Sequence, residues 1–239
     1  MKRFYKEAAV SPHANDFWQV TLDGKAVKTP TGKPLAVEVE AVANRVRDEW
    51  EAQGEDILPD TMPLTRLANV AAERSGARDE LVRDIVAYGT TDLLSYRKDS
   101  PEDFVARQSE AFDPVLEWAS ENGLNLRTTT GILAIEQDPL TLDRLGEHAG
   151  QYSALGLTLF AHLTATYGSA ILALAVMQGK LEPGEAYDIS QTDERYQAEV
   201  WGEDEEATER ATRIRAETVA MAAVVPDLPV PALDFPDTL

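Results

Sequence analysis

Two short runs of this chain carry residues whose types could do chemistry. The first is Tyr88-Gly89-Thr90-Thr91-Asp92-Leu93-Leu94-Ser95-Tyr96-Arg97. Gly, Thr and Asp in succession are poor helix material. Asp92 and Arg97 could each make charge-assisted bonds to neighbouring backbone. The plainer reading is a turn that ends a helix, because Gly and Asp favour turns. The second run is Asp193-Glu194-Arg195-Tyr196-Gln197, leading to Trp201-Gly202 and the acids Glu203-Asp204-Glu205-Glu206. On a helix, Asp193, Gln197 and Trp201 are spaced four apart and share a face. Trp201 before a glycine is expected to be core, or the apolar contact of a helix stop. An enzyme would need Asp92, Arg97 and Glu194 to converge in a pocket with perturbed pKa values.

Most other chemistry is excluded. The chain has no cysteine, so it holds no disulfide, thiolate metal site or cysteine nucleophile. His13, His148 and His162 are scattered, and no two stand at the spacing of a helical metal pair. His162, on an apolar helix, reads as a hydrogen-bonded core residue. Phosphate-loop, dinucleotide and nucleophile-elbow motifs are all missing from the sequence. No catalytic residue, metal or cofactor is therefore assigned. The net charge of −20 argues against nucleic acid or an anionic membrane as partner. That charge is uneven: residues 1–34 carry six basic and three acidic side chains, the rest 16 and 39. From Ala149 to Gly179 there is no charged residue, but glycines, threonines and His162 interrupt the run. It reads as two buried helices and not as a membrane span. The N-terminus has neither an apolar signal region nor a transit-peptide pattern, which points to the cytoplasm.

These residues must be positioned by two kinds of element. Phe17–Leu22 and Lys25–Thr29 alternate around Asp23-Gly24, a hairpin signal. Arg3–Val10 and Leu35–Val39 are expected to add strands. The period then turns helical: Val39, Val42, Val46 and Trp50 form one stripe, making Trp50 structural first. Further helices are expected from Pro63, around Leu81–Tyr88, from Ser100-Pro101, from Asp113-Pro114 and from Asp138-Pro139. An apolar central helix spans Gly168–Gln178. Pro183 opens a helix that reaches Trp201 with Ile189, Tyr196 and Val200 inward, and the last long helix starts at the acidic run. Glu194, two positions before Tyr196, lies about 200° away from it and reaches solvent. The fold class is α+β, a small β-rich unit followed by a larger all-helical orthogonal bundle. The expected division is residues 1–58, residues 59–225, and a Pro-rich mobile tail over 226–239.

The order of motifs is also informative. The chain carries Leu22-Asp23-Gly24, Lys28-Thr29-Pro30, Glu49-Trp50, Met62-Pro63-Leu64-Thr65-Arg66-Leu67-Ala68-Asn69, Thr91-Asp92-Leu93-Leu94 and Tyr96-Arg97. Asp113-Pro114, Thr130-Gly131-Ile132, Gly168-Ser169, Asp193-Glu194, Gln197 and Trp201-Gly202-Glu203-Asp204-Glu205-Glu206-Ala207 follow. Over residues ~1–225 this resembles the "ATP-twelve" family of assembly chaperones for the catalytic sector of the F-type ATP synthase. Phe112 and Ser95 depart from that pattern, where Trp and Cys are expected.

The resemblance implies a chaperone that binds the free alpha subunit and covers its beta-facing surface until the alpha–beta hexamer forms. It implies no enzyme activity, no cofactor, no membrane insertion and a monomer when free. The setting would be cytoplasmic in a bacterium, or the mitochondrial matrix in eukaryotic relatives. The family's important positions carry over to Glu194 as client-binding and to Trp50. Asp92, Arg97, Asp193, Gln197 and Trp201 are further candidates. The alternatives are a generic holdase or scaffold, and an enzyme of unknown class with Asp92, Arg97 and Glu194 in a pocket.

Overall fold

The computed structural model describes residues 1–131 and 134–235. Ile132 of the Thr130-Gly131-Ile132 motif and positions 236–239 of the tail lie outside the described residues. Strands β1 (Ala8–Pro12), β2 (Trp18–Leu22), β3 (Lys25–Ala26) and β4 (Ala36–Val37) form one antiparallel sheet around β2. Asp23 and Gly24 turn the β2–β3 hairpin with φ of 48° and 76°, the two left-handed positions of a type I′ turn. The first strand begins at Ala8 rather than Arg3. The Arg3 amide donates to the Glu55 carbonyl at 2.8 Å and its guanidinium to the Glu51 carbonyl at 3.1 Å. Those bonds tie the leading residues to the end of the first helix and not to the sheet.

That helix, α1 (Glu40–Glu51), lies on the sheet through Val42, Ala43 and Val46. Trp50 is half-buried, its ring meeting the edge of Tyr5 at 5.8 Å. The Tyr5 hydroxyl donates to the Trp50 carbonyl at 2.5 Å. Trp50→Arg should cost about 2 kcal/mol or more, since a half-buried Arg can extend its head to water while the ring contacts are lost. The melting temperature should fall by roughly 4–8 °C, and a melt within about 2 °C of wild type would remove Trp50 from the packing.

Glu49, beside it, reaches the next helix. Its carboxylate accepts the Leu64 and Thr65 amides at 2.7 Å each and the Thr65 hydroxyl at 2.8 Å. It therefore caps α2 (Pro63–Glu73), whose own N-cap Met62 offers no side-chain bond. Burial pushes the Glu49 carboxyl up from its ordinary value, and the amide bonds pull it back. One apolar cluster runs from Val20, Leu35 and Val37 of the β region into the helices. A smaller one gathers Tyr5, Ala8, Leu22, Ile57 and Met62.

The body comprises α3 (Arg78–Thr90), α4 (Glu102–Glu121), α5 (Pro139–Ala149), α6 (Ala154–Tyr167), α7 (Ala170–Met177), α8 (Pro183–Ser190), α9 (Thr192–Trp201) and α10 (Glu205–Ala222). Two short strands, β5 (Tyr96–Arg97) and β6 (Thr129–Thr130), pair in parallel. The uncharged run forms α6 and α7 as expected, parted at Gly168 with φ of 65°. Every residue of α7 is buried. Such a helix has no solvent face to encode, hence its all-round apolarity.

Several expectations about the helices are corrected. Ser100 is not a cap: α4 starts at Glu102 after Pro101. Asp113-Pro114 starts no helix, because Pro114 sits inside α4 between the buried Phe112 and Val115. Core packing on both sides of the proline carries the helix through it. The expected single helix from Pro183 to Trp201 is two, broken at Gln191. There the Ser190 and Thr192 hydroxyls bond to the Tyr187 and Ile189 carbonyls at 2.7 Å, a local alternative to helix bonding. Val200, expected inward, is 54% exposed as a consequence of the new helix phase.

Residues 226–235 of the expected tail are docked on the body. Leu228 is buried, and Leu233 and Phe235 pack on the main cluster. Asp227 pairs with Arg45 at 2.7 Å, and the Pro231 carbonyl accepts from Gln178 at 2.9 Å. A segment needs no helical or strand period to dock: three spaced apolar side chains suffice, and prolines bring no amide to satisfy.

Candidate functional site

The candidate residues fall in three separate places. Asp92 is fully buried at the start of the turn after α3. One carboxylate oxygen accepts the Leu94 amide at 3.1 Å and the other the Ile171 amide at 3.2 Å. It thus closes its own turn and caps the first turn of α7, two tasks that explain the Thr-Thr-Asp insert. Burial pushes its pKa up to about 6, against those amide bonds and the Ser169 hydroxyl. Arg97 pairs with Asp113 at 2.7 Å and donates to the Ser109 hydroxyl at 3.1 Å, fastening β5 to α4. Its guanidinium also stands 5.5 Å from the Phe112 ring centroid.

Glu194 lies elsewhere, exposed on α9. The groove it borders includes neither Asp92 nor Arg97. The pocket that an enzyme reading requires of these three is not formed by them.

The α9 face is built as follows. Its inner side is fixed to α4. Tyr196 stacks on Phe104 at 4.1 Å with an 8° interplanar angle, and its hydroxyl donates to Asp103 at 3.0 Å. Glu199 pairs with Arg107 at 2.7 Å. Asp193 accepts from Gln108 at 2.6 Å and lies 3.6 Å from Lys98. So Asp193, expected beside Gln197 and Trp201, is turned into the helix contact and serves as an anchor. Asp188 on α8 accepts two bonds from Arg215 of α10 at 2.9 Å and also pairs with Arg195. The Arg215 bonds hold the Asp188 carboxyl below its ordinary range.

With its inner side fixed, α9 leaves a polar–aromatic stripe to solvent. Glu194, Gln197 and Trp201 fall at i, i+3 and i+7, nearly one line on the helix. All three are exposed, and Trp201 is 78% exposed, not the core residue expected. Gly202, with φ of 99°, then reverses the chain, and Asp204 caps α10 by accepting the Glu206 and Ala207 amides at 3.0 and 3.3 Å. The stripe and the start of α10 border a groove of about 660 Å³, with Tyr187 among its walls. Burial, and then the Glu194 charge, push the Tyr187 hydroxyl up. Val200 joins Trp201 in solvent, and the assumed unbroken helix hid it from the sequence reading. Among the described residues no cluster of metal-ligating side chains is formed. No described helix is long and apolar enough to cross a membrane.

Comparison with known proteins places this geometry. The family model described as ATP12 chaperone protein matches residues 2–120. The mitochondrial protein atp12 of Schizosaccharomyces pombe is 26% identical over 228 residues, covering 87% of this chain and 76% of that one. The crystal structure of Atp12 from Paracoccus denitrificans superposes with a TM-score of 0.89 at 37% identity, over 94% of this chain and 97% of the other. The Atu1473 protein of Agrobacterium tumefaciens gives the same TM-score at 36% identity, over 95% and 85% of the two chains. A small sheet and ten helices among the described residues, in this order and at this identity across almost its whole length, mean that the chain belongs to the ATP12 chaperone family.

Proposed function

We propose that this protein is an assembly chaperone of the ATP synthase catalytic sector that binds the free alpha subunit and shields its beta-facing surface until the hexamer forms. The observation that carries the reading is the outer stripe of α9. A helix fixed by ion pairs and a stacked ring on its inner side leaves Trp201 in solvent beside Glu194. A large aromatic held out on a rigid element is a typical interface anchor. The surrounding acids would steer a cationic client surface and disfavour wrong partners. An unassembled subunit exposes an apolar interface that aggregates unless it is covered. The chaperone acts as a monomer in the bacterial cytoplasm, without catalysis or cofactor. Residues 1–58 form one unit and residues 59–225 the other, with the basic excess confined to residues 1–34.

Glu194 is proposed as a client contact and Gln197 as its neighbour. Glu194→Gln keeps size and helix propensity and removes one charge, so it should melt within about 2 °C of wild type. Its protection of purified alpha subunit in an aggregation assay should weaken, because a charge-assisted bond is roughly twice as strong as a neutral one. Full protection by Glu194→Gln would take the residue out of the site, and a large drop in melting temperature would assign it to the fold. Equal protection of an unrelated unfolded protein would favour the generic holdase.

A further inference from the structure

Toward the other end of α10 the body opens again. A cavity of about 830 Å³ is walled by α2, α3, α6 and α10, with Leu67, Leu81, Ile85 and Met221 among its apolar lining. Val70 and Tyr88, 43% and 37% exposed, are also part of its wall. Two of the polar atoms on this wall are buried without a hydrogen-bond partner, the Thr164 hydroxyl oxygen and Arg66 Nε. Thr164 is 1% exposed, and a buried hydroxyl without a partner is unusual in a folded protein. Arg66 spends its outer nitrogen on Glu217 at 2.8 Å and leaves Nε unused. His162 shares the wall, and burial pushes its pKa down, so the ring is neutral.

We infer that this cavity is a second docking groove, which takes an uncharged apolar segment of the client with a backbone carbonyl offered to Arg66 Nε. Three observations choose the occupant. Arg66 and Arg74 balance Asp84 and Glu217, making the wall neutral on a chain of net charge −20. The orphaned atoms are a donor and a hydroxyl, which suit a peptide carbonyl. The cavity also continues along α10: a middle stretch shares His162, Ala165 and Glu217 with it, and shares Tyr187, Asp204 and Ala211 with the Glu194–Trp201 groove. A trough beside an 18-residue helix is about 27 Å long, a length for a peptide segment rather than a small molecule. The inference rests on the client reading above and extends it: the acidic end holds a cationic stretch, the neutral end an apolar one. It also gives a use to Arg66 and Leu67 of the Met62–Asn69 motif, which the sequence alone leaves without one.

The test uses purified alpha subunit and the full chain. Ala165 is exposed and borders the cavity, so Ala165→Trp should plug it without altering the melt. A photo-crosslinker at position 165 should land on an uncharged apolar stretch of bound alpha subunit. Ala165→Trp, and Val70→Asp on the same wall, should each weaken alpha binding about tenfold, with the Glu194–Trp201 end left intact. Unchanged binding by both variants, a crosslink to a charged stretch or to a second copy of this chain, or no crosslink while alpha is bound would each overturn the groove and leave the client reading standing. Failure of the wild type to bind alpha at all would overturn both.

Discussion

Asp92→Ala is expected to lower stability by about 3 kcal/mol, roughly 6–12 °C in melting temperature for a chain of this size. Both carboxylate oxygens accept backbone amides, from Leu94 and Ile171, at a site with no water access. Alanine orphans both amides, each at a cost of about 1–3 kcal/mol, partly offset because no charge is then buried. Asp92→Asn should cost less but not nothing, since its NH₂ group must face one of the two amides.

The pH dependence gives a second handle. The folded pKa of Asp92 is pushed up to about 6 from an ordinary 3.8, so the folded state holds this proton more tightly than the unfolded one. Its contribution is therefore greatest below pH about 4 and is lost as pH rises through about 6. His148 works in the opposite direction. Burial lowers its pKa from 6.5 to about 4, so it costs stability as pH falls through that window. The wild-type profile mixes the two, and the gap between wild type and Asp92→Ala isolates Asp92. That gap should widen from pH 7.5 to pH 5. A constant gap measured by chemical denaturation would mean Asp92 does not change protonation there, and a wild-type melt from Asp92→Ala would refute the capping role.

Stopping the chain after Val225 is the second large effect, with an expected loss of about 3 kcal/mol. Leu228 is buried and should contribute about 2 kcal/mol by itself. Leu233 and Phe235 add partial burial, with the Arg144 guanidinium 5.4 Å from the Phe235 ring centroid. Gln178 also bonds to the buried pair His148 and Tyr152, and it would lose the Pro231 carbonyl. A truncated chain melting as the wild type does would mean that this segment adds nothing to the body.

Local events are legible in the residues alone. Asp23-Gly24 fixed a hairpin because a type I′ turn needs two positive φ angles, and few residues accept them. Asp138-Pro139 and the acids before Ala207 fixed helix starts, because capping is decided by the residues that do it. The uncharged run fixed a buried helical pair, since only a core tolerates so little polarity. The ordered motifs carried the family.

Tertiary structure decided what nonlocal partners decide. Pro114 remains within a helix because Phe112 and Val115 are buried beside it. Asp92 and Arg97 hold fold elements together and form no pocket with Glu194, which no spacing along the chain reveals. Asp193 and Trp201 share a face by periodicity, yet α4 packs on that side of α9 and takes one inward while leaving the other in water. The tail has no period to read, and its docking depends on a surface assembled from α1, α5 and the end of α7. Helical phase is local, but which face meets a neighbour is set by the packing of the whole chain.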